Sequence, residues 1–177
     1  MGKVLVISAF PGMGKSYFTR EHSNYSKQIL DSDSSLFKWE YNNDGTRSVS
    51  PLWPNNYINY IKYFSEEFKK YPAMDLIKSP SNNSYNISGV ILTSTHKEVL
   101  EGLSRKEIKN IILFPTSIND ILPRLEKRND SKEFIDMITN NFDKFTKQIK
   151  EGRYRLAKKI AISGTLTSEL SNIIDLK

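Results

Sequence analysis

The chain contains no cysteine. That excludes disulfides, thiolate catalysis and Cys-ligated zinc, and on this ground leaves the compartment open. It also has no apolar run approaching the roughly 18–20 residues of a membrane span, so none is expected. The apolar opening "MGKVLVISAF" passes straight into "PGMGKS" without a small-residue cleavage pattern. It reads as a first buried strand rather than a secretion signal, and the expectation is a soluble, cytoplasmic protein. No internal repeat is visible. Two further absences matter for chemistry: an otherwise complete phosphate-loop pattern lacks its first glycine, and the strongest strand after the first has no carboxylate at its end.

What is present begins with charge. Lys and Arg outnumber Asp and Glu by 26 to 20, a formal charge of +6. A basic balance suits anionic partners such as nucleotides or DNA, and it equally suits plain solubility. The 177 residues are enough for one domain, 1–177, and short for two.

The hydrophobic pattern alternates strand and helix. "KVLVIS" (3–8) is a β-branched run bounded by a turn, as in a buried parallel strand. Residues 15–23 read as a helix and 27–30 as a weak strand ending at Asp31. Residues 38–56 read as a long irregular segment, with 55–70 an amphipathic helix presenting Tyr57, Ile58, Ile61, Phe64 and Phe68 and capped by Asn55 or Asn56. A helical piece and a polar loop are expected over 71–84, a strand over 87–94, a helix from Lys97 and a strand over 110–114. Helices over 118–128 and 131–151 follow, the second with Ile135, Ile138, Phe142, Phe145 and Ile149 on one face. A last strand over 159–162 and a closing helix over 166–175 complete the pattern. The fold class expected is α/β: a three-layer P-loop NTPase architecture, a five-stranded parallel sheet with a helical lid near 118–132.

The phosphate loop is Ala9-Phe10-Pro11-Gly12-Met13-Gly14-Lys15-Ser16. The full pattern is G-x-x-x-x-G-K-[ST] between a strand and a helix, and only Ala9 departs from it. Ala9 lies where the strand ends, and a methyl fits there if φ stays negative. Pro11, Gly12, Met13 and Gly14 form the turn whose amides face phosphate oxygens. Lys15 reaches the terminal phosphates and Ser16 ligates Mg2+. ATP and Mg2+ are the expected cofactors.

Four further stretches carry chemistry. In "DSDSS", Asp31 and Asp33 follow a strand; Asp31 suits a Mg2+-bound water and Asp33 the acceptor hydroxyl, the alternative being a helix cap and a solvated turn. In "SPLWPNNYINY", Trp53 and Tyr57 are candidates to stack on a base, and Asn55 or Asn56 to read a base edge, the alternative being that the aromatics anchor the loop. "TSTHKEV" ends a strand in Thr93 and Ser94 where a motor or switch ATPase has an acid, which favours a small kinase; His96 is a candidate substrate contact or a helix-start residue. In "ILPRLEKR", Arg124 and Arg128 are four apart, hence on one helix face, and could neutralise charge on a transferring phosphoryl group; otherwise they are surface.

Together, "PGMGKS", "DSDSS", "WPNNYINYI", "TSTHKEV" and "FP" with spaced arginines resemble a group of small phage-encoded P-loop nucleotide kinases. These are related to nucleoside monophosphate kinases and shikimate kinases, and some members act on hydroxymethyluridine in DNA. The resemblance spans most of the chain, to Phe142-Asp143. It implies Lys15 and Ser16 at the triphosphate and Mg2+, Asp31 and Asp33 as the paired acids, Arg124 and Arg128 as lid arginines, and location in a host cytoplasm. Ala9, Thr95 (for a second serine) and Phe142 (for Trp) depart from the pattern. The activity implied is transfer of the ATP γ-phosphoryl to a (deoxy)nucleoside monophosphate. The alternatives are a kinase acting on 5-hydroxymethyluridine in phage DNA and a nucleotide-binding regulatory protein without turnover. The oligomeric state stays open.

Overall fold

A computed structural model describes residues 2–76, 86–170 and 173. Five strands form one fully parallel sheet: β1 (Lys3–Ala9), β2 (Ile29–Asp31), β5 (Ile87–Thr93), β6 (Asn110–Pro115) and β7 (Ala157–Ile162), in the order β2-β5-β1-β6-β7. Between β2 and β5 come the short helix α2 (Ser35–Lys38), the strands β3 (Trp39–Tyr41) and β4 (Arg47–Val49), and α3 (Asn55–Phe68). The remaining helices are α1 (Lys15–Glu21) after β1, α4 (Lys97–Arg105) after β5, then α5 (Leu122–Lys127) and α6 (Lys132–Glu151) between β6 and β7.

Side-chain alternation along β1 explains the three layers. Leu5, Ile7 and Ala9 enter one core with Phe18 of α1, Leu125 of α5 and Ile138 and Ile149 of α6. Val6 enters a second core with Tyr57, Ile58, Ile61 and Phe68 of α3 and Val99 and Leu103 of α4. The sheet is thus buried on both faces, as the apolar runs of β1 and β5 require. The expected faces of α3 and α6 both form: Phe64 packs against the second core, and Ile135, Phe142 and Phe145 against the first.

Several expectations change. The segment over 38–56 is not irregular: Trp39–Tyr41 pairs antiparallel with Arg47–Val49 across a turn that contains Gly45 at φ +81°. Residues 71–76 hold no helix, because α3 stops at Phe68 and Pro72 disfavours helical backbone at Tyr71. Pro54, not an asparagine, stands at the N-cap of α3. Residues 77–84 and most of 166–175 lie outside the described residues or in turns. No described helix is long and apolar enough to cross a membrane.

Candidate functional site

The phosphate loop closes the carboxyl end of β1. Ala9 is fully buried and pairs with Leu113, and it is not among the residues with positive φ, so the methyl costs the loop nothing. Gly12 and Gly14 have φ of +79° and +86°, a region strained for any side chain. A Cβ on Gly12 would also meet Ile121 at 2.9 Å. The loop is held from below. Phe10 N–H donates to Leu113 O at 3.0 Å, its ring packs on Phe142 and Phe145, and Met13 is buried.

Lys15 and Ser16 present the loop's chemistry. Part of the Lys15 stem is exposed, but its ammonium is enclosed and donates to Ala9 O at 2.7 Å. Desolvation lowers its pKa to about 8, and the Arg128 charge adds to this, while Asp31 and Asp33 act the other way. Asp31, Asp33 and Arg128 are thus near enough for their charges to act on Lys15. Ser16 Oγ donates to Asp31 Oδ2 at 3.0 Å. Asp31 reaches it because β2 ends there, one strand beyond β5 in the sheet.

Asp33 is exposed, and its Oδ1 accepts from Ser35 N–H at 2.8 Å, an Asx turn that starts α2. Between the two acids, Ser32 is buried and bonds both Leu92 O and the Tyr57 hydroxyl. This fastens the acidic loop to the sheet and to α3.

The acceptor-side candidates divide. Tyr57 is fully buried, with its hydroxyl on Ser32 and its pKa pushed up to about 12 by burial, so it has no free face for a base and serves as the wall. Asn56 spends its amide locally: Nδ2 donates to Phe37 O at 3.0 Å and Oδ1 accepts from Tyr57 N–H at 2.7 Å. It ties α3 to α2. Trp53 lies parallel to Tyr57, ring centroids 5.7 Å apart, and His96 meets it edge-on at the same distance. His96 caps α4, with Nδ1 3.0 Å from Ser94 Oγ. Desolvation lowers its pKa, with Lys38 and Lys15 adding and Glu98 opposing, so the ring is neutral near pH 7.

The two arginines do not act as a pair. Arg124 donates to three backbone carbonyls: Gly12 at 3.3 Å, Gly164 at 2.9 Å and Ser163 at 3.0 Å. It clamps the phosphate loop to the segment after β7, where Leu166 N–H also donates to Met13 O. Arg128 stands past the end of α5 and forks onto the Asp130 carboxylate at 2.6–3.0 Å. Arg128 is the C-cap of α5, with helical backbone and its N–H donating to Arg124 O at 3.1 Å, so the two residues keep the expected one-turn spacing while their guanidinium groups bond different partners.

Sequence reading missed Lys38, whose Nζ lies 5.3 Å from the Trp39 ring centroid and 5.7 Å from that of Trp53. Its adjacency to Trp39 is a weak signal, since the second indole comes from 15 residues away. It also missed Asp130 and the Ser163–Gly164 carbonyls, which carry no side-chain motif.

Comparison with solved structures gives the fold. The chain superposes on the Deinococcus radiodurans tunicamycin resistance protein with a TM-score of 0.53 and 14% identity, over 98% of this chain and 94% of that one. An uncharacterized protein from Eubacterium ventriosum overlaps at a TM-score of 0.44 and 13% identity, over 98% and 99%. No family model and no curated protein matches the chain. Likeness at this identity shows the fold alone, an α/β fold with a parallel sheet between helices.

Proposed function

We propose that this protein is an ATP-dependent nucleotide kinase, moving the γ-phosphoryl group of ATP to a (deoxy)nucleoside monophosphate. The observation that carries the reading is the Ser16–Asp31 hydrogen bond beside Lys15. A phosphate loop alone means binding. A carboxylate brought onto its serine from edge strand β2 supports a metal-assisted reaction, since β5 ends at Thr93 and supplies no acid there.

The residues fit Mg2+: the Ser16 hydroxyl oxygen as a ligand, and the Asp31 carboxylate beside it to accept from a metal-bound water. Held there through Ser16 and Asp31, Mg2+ supplies charge neutralisation on the phosphates. Lys15 adds a cation that an incoming phosphate would hold protonated, reversing the shift that desolvation imposes. Asp33, exposed and fixed by its Asx turn, orients the acceptor. Arg128 exchanges Asp130 for the transferring group, while Arg124 keeps the loop in shape.

A second reading, a kinase for 5-hydroxymethyluridine in DNA, draws support from the hairpin flanking Lys38. Tyr41 is 77% exposed, Leu36 79% and Leu52 63%, and Arg47 covers Trp39 at 4.5 Å. Exposed aromatics with basic neighbours suit a nucleic-acid strand.

Incubation with γ-labelled ATP and Mg2+ separates these readings, with monophosphates, nucleosides and hydroxymethyluridine duplex offered separately. Label in the monophosphates is expected. Label in the duplex alone establishes the second reading, and ATP binding without transfer establishes a non-catalytic binder.

A further inference from the structure

Lys38 lies beside Trp53 and takes no part in the proposed transfer. It ends α2, five residues past Asp33. Its backbone is fixed, since Lys38 N–H donates to Ser34 O and Lys38 O accepts from Ser50 N–H. Its ammonium sits against two indoles, Trp39 and Trp53. Among the described residues it takes part in no ion pair and Nζ makes no hydrogen bond. The nearest carboxylate in sequence, Glu40, is engaged instead by Ser50 Oγ at 2.5 Å.

Two readings compete. A lysine lying along aromatic surface is ordinary, and a cation–π contact at an exposed site is worth only about 0.5–1 kcal/mol. Three observations go beyond that. Lys38 and His96 both meet Trp53, each 5.7 Å from its ring centroid, and the charges of Lys38 and Lys15 both act on that imidazole. Trp53 is immobilised by its stack on buried Tyr57, so the ammonium faces a fixed platform. The ammonium has three donors and, among the described residues, no anion, whereas Lys15 is on Ala9 O, Arg124 on three carbonyls and Arg128 on Asp130; Arg47 lies over the Trp39 ring but not that of Trp53.

We propose that Lys38 is the anion site of the acceptor, taking the phosphate ester of the acceptor nucleotide while Trp53 supports its apolar part. The ligand class is a nucleoside phosphate, either a free monophosphate or a phosphate of a polynucleotide chain. Its role as acceptor rests on the phosphotransferase reading; its binding does not.

The chain has two tryptophans, Trp39 and Trp53, and both contact Lys38, so intrinsic fluorescence reports on this site directly. Wild-type protein and the variants Lys38→Met and Lys38→Arg are titrated in phosphate-free buffer with a deoxynucleoside monophosphate, the matching nucleoside, and a single-stranded oligonucleotide lacking terminal phosphates. Saturable binding of the monophosphate is expected. Lys38→Met should weaken it by about tenfold to a hundredfold, the range of a hydrogen bond to a charged group. Lys38→Arg, which keeps the charge, should restore most of it, and the nucleoside should bind weakly and alike in all three. Lys38-dependent binding of the oligonucleotide alone supports the anion site and assigns the phosphate to a chain. Equal monophosphate affinity in wild type and Lys38→Met overturns the proposal, as does equal affinity of wild type for nucleoside and monophosphate. Lys38-dependent binding with no phosphoryl transfer sinks the kinase reading and leaves this site standing; transfer to monophosphates independent of Lys38 does the reverse.

Discussion

Ser16 Oγ donates to Asp31 Oδ2 at 3.0 Å, joining the first turn of α1 to the end of edge strand β2. The bond places a carboxylate where a divalent cation on the loop serine would need a second-layer oxygen. Replacing Asp31 by Asn keeps the shape and removes the charge. The Mg2+ concentration giving half-maximal activity should rise about 10- to 100-fold, the usual cost of losing such a partner. ATP binding measured without Mg2+ should change little. An unchanged Mg2+ dependence would place the metal elsewhere.

The two arginines make opposite predictions. Arg124 holds three carbonyls of two different loops, so Arg124→Ala should cost about 2 kcal/mol of stability. In a chain of this size that lowers Tm by about 4–8 °C, read by thermal denaturation. Arg128 pairs with Asp130 at the surface, a bond worth about 0–1 kcal/mol. Arg128→Ala should therefore leave Tm nearly unchanged and lower kcat by about 10²–10³-fold, as for loss of a donor to a developing charge. Steady-state kinetics beside the melts distinguishes the two.

Both arginines illustrate where sequence and structure part. The i, i+4 rule places them one turn apart, which the Arg128 N–H to Arg124 O bond keeps, but it says nothing of what each side chain bonds. What each guanidinium then bonds was set by a backbone loop about 40 residues away and by Asp130, neither visible as a pattern. By contrast β1, β5 and β6 were legible because a fully buried parallel strand is a continuous apolar run closed by a turn residue, and the phosphate loop because its glycines and lysine are needed in order. The β3–β4 hairpin was missed although Asp44-Gly45 is a hairpin turn signal, because all of its strand residues except Trp39 are exposed and lack alternation. Lys38 was invisible because its second indole comes from another part of the chain.

Tyr57 looks like a ligand-binding type and is fully buried in the fold. Tyr57→Phe strips a buried hydroxyl from Ser32 and should cost about 1–2 kcal/mol. The KM values for ATP and acceptor should stay within about twofold, a change worth under 0.5 kcal/mol. A large rise in acceptor KM at unchanged stability would return Tyr57 to the binding site.

Lys15 gives a pH signature. Its folded pKa of about 8 lies below the ordinary 10.5, so the unfolded chain holds more protons between those values. The stability of the free protein should therefore rise as pH increases from about 8 to 10.5. ATP needs the lysine charged, so its affinity should be flat below about pH 8 and weaken above it. At pH 8.5, calorimetry in buffers of differing ionisation enthalpy should show ATP binding coupled to uptake of most of one proton (about 0.8 by titration from that pKa). Lys15→Ala should abolish that uptake along with tight binding. Binding with no proton taken up would show that the lysine was already charged.

The central claim is that a phosphoryl group passes from ATP to a nucleoside monophosphate at the Lys15, Ser16 and Asp31 site. Phosphorus NMR of the protein with ATP, Mg2+ and a deoxynucleoside monophosphate follows every phosphate at once. The account predicts ADP and a deoxynucleoside diphosphate appearing in equal amounts, with neither formed by Lys15→Ala. ADP with inorganic phosphate instead, or no consumption of ATP, would contradict it.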